Sequence, residues 1–114
     1  MTRTPQEIFA HRGGALGAED LDEILADYAE DAVIISATGV RRGHAEIRDL
    51  FAGLLAEIPQ ASWDLKTQVY EGDVLYLEWA AAGGGNRIDD GVDTFVFGDG
   101  LIRLQTVHLT VQSG

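Results

Sequence analysis

A chain of 114 residues is long enough to bury one hydrophobic core, and residues 1–114 read as one domain. It has no cysteine, which excludes disulfides, thiol nucleophiles and cysteine-bound metals, and suits a cytoplasmic location. Its net charge of −11, from 19 acidic and 8 basic residues, argues against nucleic acid and anionic membrane as partners. No apolar run approaches the roughly eighteen residues of a membrane span, and residues 1–7 lack the apolar segment of a signal peptide.

In chain order, Thr4, Pro5 and Glu7 predict a helix start, with Thr4 as N-cap and Glu7 closing a capping box. Ile8, Phe9, Ala15 and Leu16 give that helix an apolar stripe. Gly13, Gly14 and Gly17 weaken it by about 1 kcal/mol each, so it must rely on packing or on a close neighbour. Asp20 caps a second helix carrying Leu21, Ile24, Leu25 and Tyr28 at i, i+3, i+4 and i+7. Residues 32–37 turn to β character, Gly39 marks a turn, and residues 40–42 form a short strand. A third helix opens at Gly43 and buries Ile47, Leu50, Phe51, Leu54 and Leu55 until Ile58 and Pro59 end it.

Strands follow over residues 62–70 and 74–82, the second with Leu75, Leu77 and Trp79 on one face. Gly83, Gly84 and Gly85 read as a mobile hairpin tip or lid. The chain closes on a hairpin whose tight turn is Gly98-Asp99-Gly100, its last strand running on to Val111. Three helices in the N-terminal half followed by about four long strands is an α+β pattern, with the helices on one face of a curved antiparallel sheet. The last strand is apolar on both faces: Leu101, Val107, Leu109 and Val111 on one, Ile102, Leu104, Thr106 and His108 on the other. That pattern predicts a homodimer through the outer face of the sheet.

Residues 20–33, DLDEILADYAEDAV, resemble the helix-to-strand signature of nuclear transport factor 2-like domains. Residues 42–47 resemble their next element, a basic residue and Gly opening a helix, and Gly91-x-Asp93-x-Phe95 with residues 99–102 is similar to their last hairpin. The nearest branch by this resemblance is the SnoaL-like and ketosteroid isomerase-like group. It implies a cone-shaped barrel around a pocket for an apolar small molecule, homodimers, and isomerase, cyclase or dehydratase chemistry without metal or organic cofactor. In the isomerases a protonated strand aspartate donates to an oxyanion, and Asp93 falls at that place. The position of their catalytic base is Ser36, which cannot take that role, and the first-helix tyrosine corresponds to Arg12. The acid–arginine–acid set of the epoxide hydrolase branch is incomplete here.

Asp93 stands out without the resemblance, because it shares a strand face with Phe95 and Phe97, where a carboxylate is costly unless paired or protonated. His11 on the first helix is the candidate general base beside it. Arg12, Tyr28, Ser36, Trp63, Trp79, Phe95 and Gln105 are the candidate ligand contacts, with Trp79 and Phe95 as wall and the Tyr28 hydroxyl at the rim. The three histidines lack the spacing of helix-borne metal ligands, so no metal is expected. Two function classes follow. One is a pocket protein that binds an apolar ring compound with acid–base activity; the other is a non-catalytic dimerisation or partner-binding module with a filled interior.

Overall fold

The computed structural model describes residues 2–114, leaving Met1 outside. Helix α1 spans Pro5–Gly17 and starts as its capping box dictates: Thr4 Oγ1 accepts from the Glu7 backbone N–H, and Glu7 Oε1 accepts from that of Thr4. Helix α2, Leu21–Ala26, is capped by Asp20. It ends two residues before Tyr28, which opens strand β1 (Tyr28–Ser36) instead of closing the helix. A turn leads to β2, Gly39–Arg42, and then to α3, Gly43–Glu57. Four strands and a short tail complete the chain: β3 (Ser62–Glu71), β4 (Val74–Gly83), β5 (Asn86–Gly98), β6 (Leu101–His108) and β7 (Val111–Ser113).

The strands form one curved, unclosed sheet in the order β2-β1-β6-β5-β4-β3, with β7 pairing the start of β5. It is mixed, because β1 runs parallel to β6, whereas all other neighbours are antiparallel. The last strand does not run unbroken to Val111. It stops at His108, and β7 pairs with residues 86–88.

Two of the tight turns follow directly from their residues. Asp99 and Gly100 have φ of 54° and 75°, Gly84 and Gly85 of 60° and 82°, the positive pair that a type I′ hairpin loop needs. The Gly83–Gly85 segment is not a lid. It lies against Pro59, and the Asn86 side chain next to it donates to the Glu57 carbonyl at 2.7 Å.

The core lies between the helices and the inner sheet face. Ile8, Ile24, Ile47 and Phe51 from the helices meet Leu75, Leu77, Phe95 and Ile102 from the strands. The glycines of α1 do not mark a close approach: a Cβ at Gly13, Gly14 or Gly17 would meet no atom within 4 Å. Among the described residues no helix is long and apolar enough to cross a membrane.

Bulges decide which side chains face inward. Arg103 is the extra residue of β6 between the pairs Val96–Leu104 and Phe97–Ile102. Strict alternation puts Ile102 and Gln105 on opposite faces; with the bulge both are buried on the inner face. Leu104, Thr106 and His108 keep the outer one, where His108 meets Asp90 at 3.3 Å.

Candidate functional site

A cavity of about 600 Å³ opens between α1, α3, the β1–β2 turn and the inner sheet face. Phe9, Leu16, Leu50, Leu54, Trp63 and Trp79 supply much of its apolar wall. Its polar residues include Asp93, Gln105 and Arg12 at the inner end, Ser36 and Thr38 on the β1–β2 turn, and Arg41, Asp49 and Glu57.

The sheet register assembles the inner group. Asp93 on β5 faces Leu77 on β4 and Val107 on β6. Trp79 and Gln105 sit diagonally to it on those two strands, within reach of a long side chain. Trp79 Nε1 donates to Asp93 Oδ1 and Gln105 Nε2 to Asp93 Oδ2, each at 3.0 Å. The Tyr28 hydroxyl donates to Gln105 Oε1 and accepts from Arg12 Nε at 3.0 Å. One chain of hydrogen bonds thus runs from Arg12 through Tyr28 and Gln105 to Asp93 and Trp79. No buried side-chain nitrogen or oxygen among the described residues is left without a partner.

Asp93 is 3 % exposed, and its burial raises the carboxyl pKa above the ordinary carboxylate value. The Arg12 charge and the bonds from Trp79 and Gln105 act in the opposite direction without cancelling that effect. Burial likewise pushes the Tyr28 hydroxyl up to about 12, so it stays a neutral relay. Arg12 is itself buried, its guanidinium 4.8 Å from the ring centre of Phe95 and 5.5 Å from that of Phe51. What results is a carboxyl group whose pKa burial raises, held by two neutral N–H donors and bordering an apolar cavity. Such a group can accept or return a proton, or hold a carbonyl oxygen by donating one.

The residues named from the sequence divide between this site and elsewhere. Asp93, Arg12, Ser36, Trp63, Trp79 and Gln105 border the cavity. Phe95 does not: it is fully buried behind Arg12 and edge-on to Phe9, because its large ring fills the core under α1. Tyr28 is not at the rim, since as the first residue of β1 it lies buried behind Gln105.

His11 does not border the cavity and is not beside Asp93. One position before Arg12 on α1, it points toward α2. There its Nδ1 lies 2.7 Å from Asp27 Oδ2 and its Nε2 3.3 Å from Glu23. Asp27 is completely buried and also accepts from Arg3 Nη1 at 2.7 Å. The hydrogen bond to Asp27, then its charge, raises the His11 pKa.

Several contributors were not anticipated, among them Thr38, Asp49 and Glu57. Arg41, on β2, also borders the cavity, and no local pattern marks that. Gly91 did carry a signal, as glycine inside a strand marks a close approach. A Cβ there would stand 2.3 Å from Trp79 Cε2, so only glycine leaves room for the indole.

Residues 9–105 match the family profile of the SnoaL-like domain. No curated protein matches the chain. Solved structures with the same fold include an NTF2-like protein of unknown function from Cytophaga hutchinsonii. It is 14% identical, covers 96% of this chain and 93% of its own, and has a TM-score of 0.78. A SnoaL-like protein of unknown function from Burkholderia thailandensis is 22% identical over 92% of this chain and 93% of its own, with a TM-score of 0.75. A protein from Kribbella flavida provisionally assigned as a ketosteroid isomerase is 17% identical over 96% of this chain and 80% of its own, with a TM-score of 0.76.

Proposed function

Because this chain belongs to the SnoaL-like domain family, we propose that it is a small-molecule pocket protein that takes an apolar ring compound and acts on it through Asp93. The observation that carries this reading is the cavity of about 600 Å³, apolar around most of its wall and ending on one buried carboxyl group. Asp93 is the proton-transfer residue. Trp79 and Gln105 orient it, Tyr28 and Arg12 fix Gln105 in the amide orientation that donates, and Trp63 and Trp79 hold a flat ring. The likeness to the Kribbella flavida protein favours proton transfer next to a carbonyl, with Asp93 alone in both acid and base roles, since Ser36 supplies no second carboxylate. The reaction needs no metal or organic cofactor on this reading. The alternative module with a filled interior would not require this cavity.

The proposal extends to a homodimer through the outer sheet face. Val69, Val74 and Tyr76 are exposed there on β3 and β4, as are Ile35 and Val40 on β1 and β2. It also places the protein in the cytoplasm, in keeping with the lack of cysteine. The test uses 2-acetylnaphthalene, a neutral ring ketone. It should quench tryptophan fluorescence saturably, and the protein should speed exchange of its methyl protons in D2O. The Asp93→Asn variant should bind the ketone and lose the exchange. A linear, non-saturating quench would dismiss the pocket; binding without exchange would dismiss the catalysis.

A further inference from the structure

Arg12 has more hydrogen-bonding capacity than the protein uses. Its Nε is engaged by the Tyr28 hydroxyl, and the Phe51 and Phe95 rings lie near its guanidinium. The two terminal nitrogens donate to no protein acceptor among the described residues, and Arg12 forms no ion pair there. The residue is only 6 % exposed and borders the cavity. Since no sealed side-chain nitrogen lacks a partner, these two nitrogens open onto the cavity. Asp93, the carboxyl group at the same end, is held by Trp79 and Gln105 instead of by Arg12. A buried guanidinium is costly without a countercharge, and its fork matches a carboxylate in two parallel bonds.

We infer that the ligand of this cavity is an apolar ring compound bearing a carboxylate, and that Arg12 binds the carboxylate through its terminal nitrogens. The inference rests on the pocket reading above and adds the ligand's charge. Asp93 lies close enough for the Arg12 charge to act on its carboxyl group, yet it accepts from Trp79 and Gln105 and makes no ion pair with the guanidinium. Asp49 and Glu57 also border the cavity, but both are exposed on α3, where water and salt screen them. Arg41 borders it as well and forms no ion pair among the described residues, which favours entry of an anion.

The experiment compares 2-naphthoate with 2-naphthamide, nearly the same shape with and without charge, by tryptophan quenching at neutral pH. In the unaltered protein the carboxylate should bind about tenfold to a hundredfold tighter than the amide. That preference should vanish in Arg12→Met, shown folded by circular dichroism, and survive in Arg41→Met. Equal binding of the two probes in the unaltered protein overturns the inference and leaves the pocket reading standing. Loss of the preference in Arg41→Met, or its persistence in folded Arg12→Met, overturns the assignment to Arg12. Binding of neither probe overturns the pocket reading itself. Should Arg12→Met fail to fold, equal binding in the unaltered protein or loss of the preference in Arg41→Met still overturns the inference.

Discussion

Trp79 and Asp93 meet diagonally across β4 and β5, the indole N–H donating to Oδ1 at 3.0 Å while the ring lies against Gly91. The contact ties the cavity wall to its carboxyl group, and it exists only because the residue paired with Trp79 has no side chain.

Gly91→Ala therefore tests how tightly the site is built. The added methyl would stand 2.3 Å from Cε2, so the indole must swing away from Asp93. Overpacking of this kind costs about 1–3 kcal/mol. Urea unfolding should show that loss, and tryptophan emission should shift. An unchanged midpoint with unchanged emission would contradict the packing described.

At Asp93 the two obvious substitutions should behave differently. With Asn, the Gln105 amide can turn over and accept from the new amide, but the buried Tyr28 hydroxyl then loses the acceptor for its proton, so stability should fall by about 1 kcal/mol. With Ala, the Trp79 and Gln105 donors both lose an acceptor, and about 1–3 kcal/mol should go. Any proton-transfer rate should fall by about 10²- to 10⁴-fold in both.

The pH sign at Asp93 follows from its raised pKa in the folded state. Stability from the protonated form is fully present below the unfolded value and is lost as pH rises through the folded one. Asp93→Asn has no such loss, so its melting temperature should gain on the parent's as pH climbs through that window. Parallel curves for the two proteins would show that the carboxyl group is not penalised by burial.

His11 works the other way. Its pKa is raised by Asp27, so the pair stabilises the fold fully below the unfolded histidine value of about 6.5 and stops doing so as pH rises through the folded one. Melting temperatures of the parent and His11→Gln should be well separated at pH 6 and converge at alkaline pH. A constant gap would mean the contact does not depend on charge.

Gly14 is exposed on α1, and a Cβ there meets nothing within 4 Å. Gly14→Ala should raise stability by about 0.5–1 kcal/mol without changing probe binding. Destabilisation would reveal a contact on that face of α1.

The outer sheet face predicts self-association. Sedimentation at micromolar concentration should give about twice the 12.3 kDa chain mass, and Val69→Glu should return it to the monomer. A monomer for the unaltered chain would refute the dimer.

The sequence by itself determined what depends on neighbours along the chain. The capping box at Thr4, the Asp20 cap, the positive-φ turn at Asp99 and Gly100, and the inward set Leu75, Leu77, Trp79 all rest on contacts within a few residues. Asp93 was legible for the same reason, since its strand neighbours Phe95 and Phe97 already made it a misfit. Tertiary structure alone decided who its partners are. Helical spacing assigned Tyr28 to α2, but parallel pairing of β1 with β6 drew it into the sheet and buried its hydroxyl behind Gln105. Alternation could not place Ile102 and Gln105 on one face, because the extra residue Arg103 is defined by register against β5. His11 and Arg12 are adjacent, yet helix geometry sets successive side chains about 100° apart, sending one to Asp27 and the other to the cavity. Which of the two bordered the cavity was fixed by how α1 lies on the sheet, a packing outcome that no local pattern encodes.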